Sequence, residues 1–146
     1  MMLKKLPVGI QTFSEIINGG YLYIDKTAII YRLLQSGKYF FLSRPRRSGK
    51  SLTLSTIKSI YLGQRALFKG LWIEPQWDWA QMRPVIHISF SSVDYQGSGL
   101  DLGIQQMLRA QAAQHAIELS GATIKTMFTE LMRKLADRGK VVLLID

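Results

Sequence analysis

Hydrophobic positions along the chain recur with two periods, one near 3.6 residues and one near 2, and the two alternate. Thr12-Phe13-Ser14-Glu15 has the form of a capping box and predicts a short helix ending near Asn18-Gly19-Gly20. Ile29, Ile30, Leu33 and Leu34 lie on one face of a second predicted helix, capped by Asp25 or Thr27 and stopped at Gly37. Tyr39-Phe40-Phe41-Leu42-Ser43 is short, rich in aromatics and without helical period, and Gly37 and Pro45 flank it, so it predicts a buried strand. Leu54, Ile57 and Tyr61 then mark a helix from Ser51 to Tyr61, with Gly63 as its close. Residues 64–83 carry all three tryptophans (Trp72, Trp77, Trp79) and show no period. Pro84 to Phe90 predicts a second strand, and a Gly/Ser/Asp loop follows from Asp94 to Gly99. Two further helices are predicted, Asp101 to Glu118 and Ala122 to Asp137, the latter burying Ile124, Met127, Phe128, Leu131 and Leu135. Gly139 ends it, and the all-apolar run Val141-Val142-Leu143-Leu144-Ile145 suits a strand covered on both faces.

Strands alternating with helices imply an α/β fold, with a mainly parallel sheet between helical layers. Ligands of such sheets sit beyond the carboxyl ends of the strands. The length of 146 residues suits one domain. Apolar residues at 47% and aromatics at 10% exclude intrinsic disorder, and the absence of cysteine excludes a disulfide framework and any thiolate metal or redox site. No apolar run approaches the ~20 residues of a membrane span, and the basic start Met1-Met2-Leu3-Lys4-Lys5-Leu6-Pro7 lacks the apolar stretch of a signal peptide. The expectation is a soluble cytoplasmic protein with no membrane partner.

Charge changes this picture. The net charge is +9, and it is uneven: residues 1–73 hold twelve Lys and Arg against Glu15 and Asp25, whereas residues 74–146 are nearly balanced. The excess centres on Arg44-Pro45-Arg46-Arg47-Ser48-Gly49-Lys50-Ser51. Such a basic half predicts either a solvated or nucleic-acid-binding surface or a pocket for a polyanion, and local spacing favours the pocket. The segment runs from a predicted strand straight into a predicted helix, which is the setting of a phosphate-binding P-loop. Gly49 lets backbone N–H groups curl around a phosphate, Lys50 places a compact cation on the outer phosphates, and Ser51 offers a hydroxyl to Mg²⁺. The dipole of the following helix points at the same anion. Arg44 stands where the motif has its first glycine. Val142-Leu143-Leu144-Ile145-Asp146 has the form of a Walker B strand, 96 residues after Lys50, with Asp146 turned to the Mg²⁺.

Several runs together resemble the bacterial AAA-ATPase-like domain family. They are Tyr23-Ile24-Asp25-Lys26-Thr27, Tyr39 to Leu52 with its Arg-Pro-Arg-Arg loop, Phe68-Lys69-Gly70-Leu71, Pro84-Val85-Ile86-His87 and Val141 to Asp146. The resemblance implies a three-layer α/β/α P-loop NTPase core, with residues 1–37 as helical lead-in and 38–146 running from Walker A to Walker B. It implies ATP and Mg²⁺ as cofactors, held by Arg46, Arg47, Ser48, Gly49, Lys50, Ser51 and Leu52, with Arg46 and Arg47 read either as reaching the γ-phosphate or as solvent-facing loop cations. Lys50 and Asp146 would be catalytic, and Ser51 and Asp146 would bind the metal. Arg at position 44 is usual in that family, and Asp25-Lys26-Thr27 looks like its N-terminal signature, expected near the nucleotide. Family members continue past the Walker B Asp, commonly into a nuclease-like domain, and the core is therefore expected to be incomplete at its C-terminal side, lacking a central strand.

Other candidates carry blander readings. His87 is expected in the core or on the sheet surface, His115 exposed on a helix, the tryptophans in packing, Asp94 in a turn and Asp101 at a helix cap. No His/carboxylate spacing suggests a zinc site. Two rivals to ATP hydrolysis are a nonenzymatic nucleic-acid-binding module using the basic half and a P-loop kinase for a small metabolite.

Overall fold

A computed structural model describes residues 3–40, 49–92, 96–97 and 99–146. Phe41 to Ser43 of the expected first strand, the loop residues Arg44, Pro45, Arg46, Arg47 and Ser48, and Asp94 lie outside the described residues. The chain divides into two units, residues 1–82 and 83–146.

The first unit contains α1 (Phe13–Asn18), α2 (Thr27–Ser36) and α3 (Lys50–Tyr61), followed by a 3₁₀ turn, Arg65–Phe68. Its core combines Ile16, Ile30, Ile57, Ile60 and Ile73 with a cluster of aromatic rings. Phe13, fully buried, stacks on buried Phe68 at 4.6 Å and meets Tyr23 edge-on at 5.1 Å. Tyr31 and Tyr61 receive Trp77, and Trp79 tilts against Phe68. Trp77 and Trp79 thus pack the unit, as expected, while Trp72 meets Tyr31 edge-on at 5.4 Å but stays 42% exposed.

Two local expectations are corrected. Thr12 stands at the N-cap of α1 but makes no side-chain cap bond. The orphan N–H of Phe13 donates instead to Ser55 Oγ of α3 at 2.9 Å, so a tertiary acceptor replaces the capping box. Tyr39 and Phe40 form no strand: they are 94% and 45% exposed and irregular. The buried stripe of α3 is centred on Ile57, Ile60 and Tyr61, with Leu54 only half-buried.

The second unit contains β1 (Val85–Ile88), α4 (Gly99–Gln114), α5 (Ile124–Ala136) and β2 (Val142–Ile145). β1 and β2 pair in parallel, Val85 against Val142 through Ile88 against Ile145, with α4 and α5 forming the crossover. Leu108 and Ala112 of α4 and Met127, Leu131 and Leu135 of α5 close over Ile86 and Ile88. The α5 start is fixed by a capping box, Thr123 with Thr126. The chain is therefore mixed α/β, with five α-helices and one two-stranded parallel sheet among the described residues.

Four expectations change here. Both strands are shorter than their apolar runs, since Phe90–Ser92 turns into a 3₁₀ segment. β2 is covered on one face only: Leu143 and Ile145 are 36% and 56% exposed, although their register partners Ile86 and Ile88 are buried. His115 is half-buried, not exposed, and its Nε2 lies 3.0 Å from the Val85 carbonyl. One turn earlier, Gln111 accepts the His87 N–H at 3.2 Å. Side chains at the end of α4 thereby satisfy the β1 backbone groups that face away from β2, which protects an otherwise open edge. Asp101 sits inside the first turn of α4, where its charge complements the helix dipole, and does not cap it. His87 lies half-buried in β1, as expected. Among the described residues no helix is long and apolar enough to cross a membrane.

Candidate functional site

The start of α3 carries the motif residues that the structure describes. Gly49 is the N-cap, with φ +84° and ψ 18°, in the left-handed region. Among the described residues a Cβ there would meet nothing within 4 Å, and the backbone angle itself calls for glycine. We expect Gly49→Ala to lower the unfolding free energy by about 1–2 kcal/mol and Gly49→Asn by less, because Asn tolerates this conformation better. Urea denaturation of the two variants checks this. Equal stability of all three proteins would remove the left-handed turn from the account.

Lys50 is the first helical residue, followed by Ser51 and Leu52, all half-buried. The helical ladder begins with Thr53 N–H donating to the Gly49 carbonyl at 2.9 Å, and the Thr53 hydroxyl donates to the same oxygen at 2.9 Å. The N–H groups ahead of Thr53 point out of the helix end. The first turn of α3 holds no acidic residue, and Gly49 supplies no capping side chain. Among the described residues no carboxylate forms an ion pair with Lys50. A helix start ordinarily attracts a negative group, and a cation there costs a few tenths of a kcal/mol or more. Here a lysine occupies the positive end, an arrangement that an anion would relieve. Behind it α3 is anchored by Ile57, Ile60 and Tyr61 and by the Ser55–Phe13 bond.

Asp25-Lys26-Thr27 divides into two roles. Asp25 Oδ1 accepts the Thr27 N–H at 2.9 Å and the Thr27 hydroxyl at 2.6 Å, while Oδ2 accepts the Trp72 N–H at 2.7 Å. The fully buried Thr27 Oγ1 in turn accepts the Ile73 N–H at 3.2 Å. Asp25 and Thr27 are thus a bracket that ties the start of α2 to the stretch after Phe68. Lys26, between them, faces the same cavity as Gly49.

Partial burial raises the Asp25 carboxyl, but the Thr27 hydroxyl and the Trp72 and Thr27 amides outweigh it, so its pKa lies below the ordinary 3.8. A carboxyl with a depressed folded pKa contributes stability above its unfolded value, near pH 4, and loses it as pH falls through the lower folded value. We expect Asp25→Ala to cost roughly 2 kcal/mol at pH 7, to flatten the acid limb of the melting temperature below pH 4, and to leave ligand affinity within twofold. A large affinity loss with unchanged melting would mark Asp25 as a ligand contact instead.

Asp146 follows β2 directly and is exposed. Its N–H donates to the Ile88 carbonyl at 2.8 Å and its own carbonyl accepts the Phe90 N–H at 3.0 Å, which fixes it at the carboxyl end of the strand pair. Of the expected site residues, Gly49, Lys50, Ser51 and Leu52 are consecutive at one helix start, Asp146 ends β2, and Arg46, Arg47 and Ser48 lie outside the described residues. Thr53 and Thr56 were not singled out from the sequence, whereas Lys26 was, within Asp25-Lys26-Thr27. The spacing of Gly49, Leu52, Thr53 and Thr56, which puts small and hydroxyl side chains on one helical face, was the available signal.

Among the described residues no three His, Asp or Glu side chains gather as a metal cage. Mg²⁺ requires none, because it keeps several waters and takes one or two protein oxygens beside its phosphates.

A family model described as "Predicted AAA-ATPase" matches residues 7–146. A protein of Azotobacter chroococcum mcd 1, described as an uncharacterized protein in the vnfD 5' region, is 39% identical over 150 residues, an alignment covering 100% of this chain and 29% of that protein. The chain thus spans less than a third of the length of that relative. No solved structure matches. With nearly all of its length matched by the family model, the chain belongs to the AAA-ATPase-like family.

Proposed function

We propose that this chain binds ATP with Mg²⁺ through a P-loop and that the protein hydrolyses the nucleotide. The observation that carries this reading is the start of α3: a left-handed glycine, a lysine at the positive helix end, and no acidic neighbour in the first turn. Family membership supports it. In this reading, the N–H groups before Thr53 bind phosphate oxygens, and Lys50 neutralises the outer phosphates. Ser51 and Asp146 are the oxygen donors for Mg²⁺, which would screen the phosphate charge when bound. By family resemblance, Arg46, Arg47 and Ser48 would contribute to the phosphate site together with Leu52.

The parallel β1–β2 pair with its helical crossover is compatible with a three-layer P-loop core in which β2 carries the Walker B Asp146. Hydrolysis would drive a conformational change in the longer protein, with a nuclease-like domain as its partner.

Calorimetric titration with a nonhydrolysable ATP analogue tests the reading. Binding that requires Mg²⁺, with a dissociation constant on the order of 1–1000 μM, is expected. Absence of binding at millimolar nucleotide, together with steeply salt-dependent DNA or RNA binding, would replace it with the nucleic-acid module.

A further inference from the structure

The strand pair of the second unit continues one step past its regular span. The Asp146 N–H donates to the Ile88 carbonyl at 2.8 Å, and the Asp146 carbonyl accepts the Phe90 N–H at 3.0 Å. Both peptide groups flanking Ser89 thus bind Asp146, which is how a parallel ladder joins two opposed residues. The register of Ile88 with Ile145 therefore continues as Ser89 with Asp146. Opposed residues of neighbouring strands lie about 4.8 Å apart and share one face of the sheet. The backbone places the Ser89 hydroxyl beside the Asp146 carboxyl group. After Ser89 the chain turns into the 3₁₀ segment Phe90–Ser92, which brings Ser91 Oγ back to 2.7 Å from Ser89 Oγ. Either hydroxyl of this pair can be the donor. A carboxylate next to Ser89 decides the direction, because a hydroxyl makes its stronger bond to an anion. Ser91 then donates to Ser89, and Ser89 donates its own proton to Asp146. A hydroxyl that accepts one bond while donating another is polarised into a better donor.

Resting on Asp146 as a metal-binding oxygen donor, as argued above, we propose that Ser89, backed by Ser91, is the positioning residue that holds the Asp146 carboxylate for Mg²⁺. An exposed aspartate at the end of a strand turns about two side-chain bonds, whereas Mg²⁺ demands a near-ideal octahedron of oxygens. A donor on one carboxylate oxygen fixes the side chain and leaves the other oxygen to the hydrated cation. Ser89 is half-buried and Asp146 is exposed, so the better-packed side chain orients the more open one. Its own place is set by the last bonds of the ladder on both sides of it. Ser89 touches neither phosphate nor metal in this arrangement and acts through Asp146 alone.

The test titrates Mg²⁺ into the whole protein with a nonhydrolysable ATP analogue, and repeats this for Ser89→Ala, Ser89→Thr, Ser91→Ala and Asp146→Asn. Each unliganded protein is also melted. Ser89→Ala should raise the Mg²⁺ concentration for half-maximal binding about tenfold or more, since losing an outer partner of a metal ligand costs roughly 10- to 100-fold in metal affinity. Ser91→Ala removes only the polarising hydroxyl and should raise it about two- to fourfold. Ser89→Thr keeps the donor and should stay within about twofold. Melting temperatures of the serine variants should stay within about 2 °C of the unmodified protein. Adding Ser89→Ala to Asp146→Asn should weaken binding by no more than about twofold further, because the two side chains act as one unit. A midpoint shift below about threefold in Ser89→Ala overturns the assignment. So does a Ser89→Thr variant as weak as Ser89→Ala, or a full, additive loss in the double variant. If the unmodified protein does not bind the analogue, or Asp146→Asn binds it as tightly, the metal site itself fails and this assignment falls with it.

Discussion

Replacing Lys50 with alanine should weaken ATP binding by about two orders of magnitude while leaving the fold as stable as before, or slightly more so. Both halves come from the position of the side chain. As the first residue of α3 it sits at the positive end of the helix, in a turn without an acidic residue. With no ligand, that placement opposes the dipole by about 0.3–1 kcal/mol, and alanine is also the better helix former. With a triphosphate bound, the same ammonium becomes a charge-assisted donor to an anion. Removing such a partner at a desolvated contact costs about 2–5 kcal/mol. Affinity and stability must therefore move in opposite directions. Isothermal titration and thermal melting on the same preparations read the two. Lys50→Ala that binds ATP undiminished would end the phosphate-site reading. Lost binding accompanied by a large fall in melting temperature would make Lys50 a structural residue. Lys50→Arg should recover only part of the affinity, because a planar fork does not fit where a compact ammonium does.

Much of this site was legible in the sequence because its chemistry is local. Gly49, Lys50 and Ser51 are adjacent, and a helix starting at Lys50 needs only the period of Leu54, Ile57 and Tyr61 to be foreseen. The α5 stripe was equally readable: Met127, Leu131 and Leu135 are all fully buried. The misses were long-range. The Thr12–Glu15 pattern is a sound capping signal, yet Ser55, 42 residues away, supplies the acceptor. Asp25 read as a site residue or a helix cap because nothing local shows that Trp72 and Ile73 will lie against it. His115 looked like an exposed helical histidine because its partner is a β1 carbonyl 30 residues earlier. The uniform apolar character of β2 suggested cover on both faces, but that composition cannot say which face a neighbour reaches. Leu143 and Ile145 remain open while Leu144 is 7% exposed.

The largest stability effect should come from Phe13→Ala, at about 4 kcal/mol. Truncating a buried Phe costs roughly 3–5 kcal/mol, and where a site falls in that range depends on how far its neighbours can collapse into the space left. Here they cannot move easily. The ring is fully buried between Phe68, stacked at 4.6 Å, and Tyr23, edge-on at 5.1 Å, and Phe68 is itself held against Trp79. Rigid rings leave a void where flexible side chains would fill it. Phe13 also carries the N–H that ties α1 to Ser55 of α3, so loosening this corner reaches the helix whose start is the candidate phosphate site. Phe13→Leu keeps most of the volume and should cost less than about 1.5 kcal/mol. Against a usual total of 5–15 kcal/mol, only the alanine variant should be partly unfolded at moderate temperature. If the phosphate site is real, ATP at 100 times its dissociation constant returns about 2.7 kcal/mol through linkage. Urea titrations of the three proteins, with and without ATP, separate these contributions. A loss below 1 kcal/mol in Phe13→Ala would mean that the aromatic cluster does not hold α1 on α3, and equal midpoints with and without nucleotide would mean that α3 does not present the bound anion site.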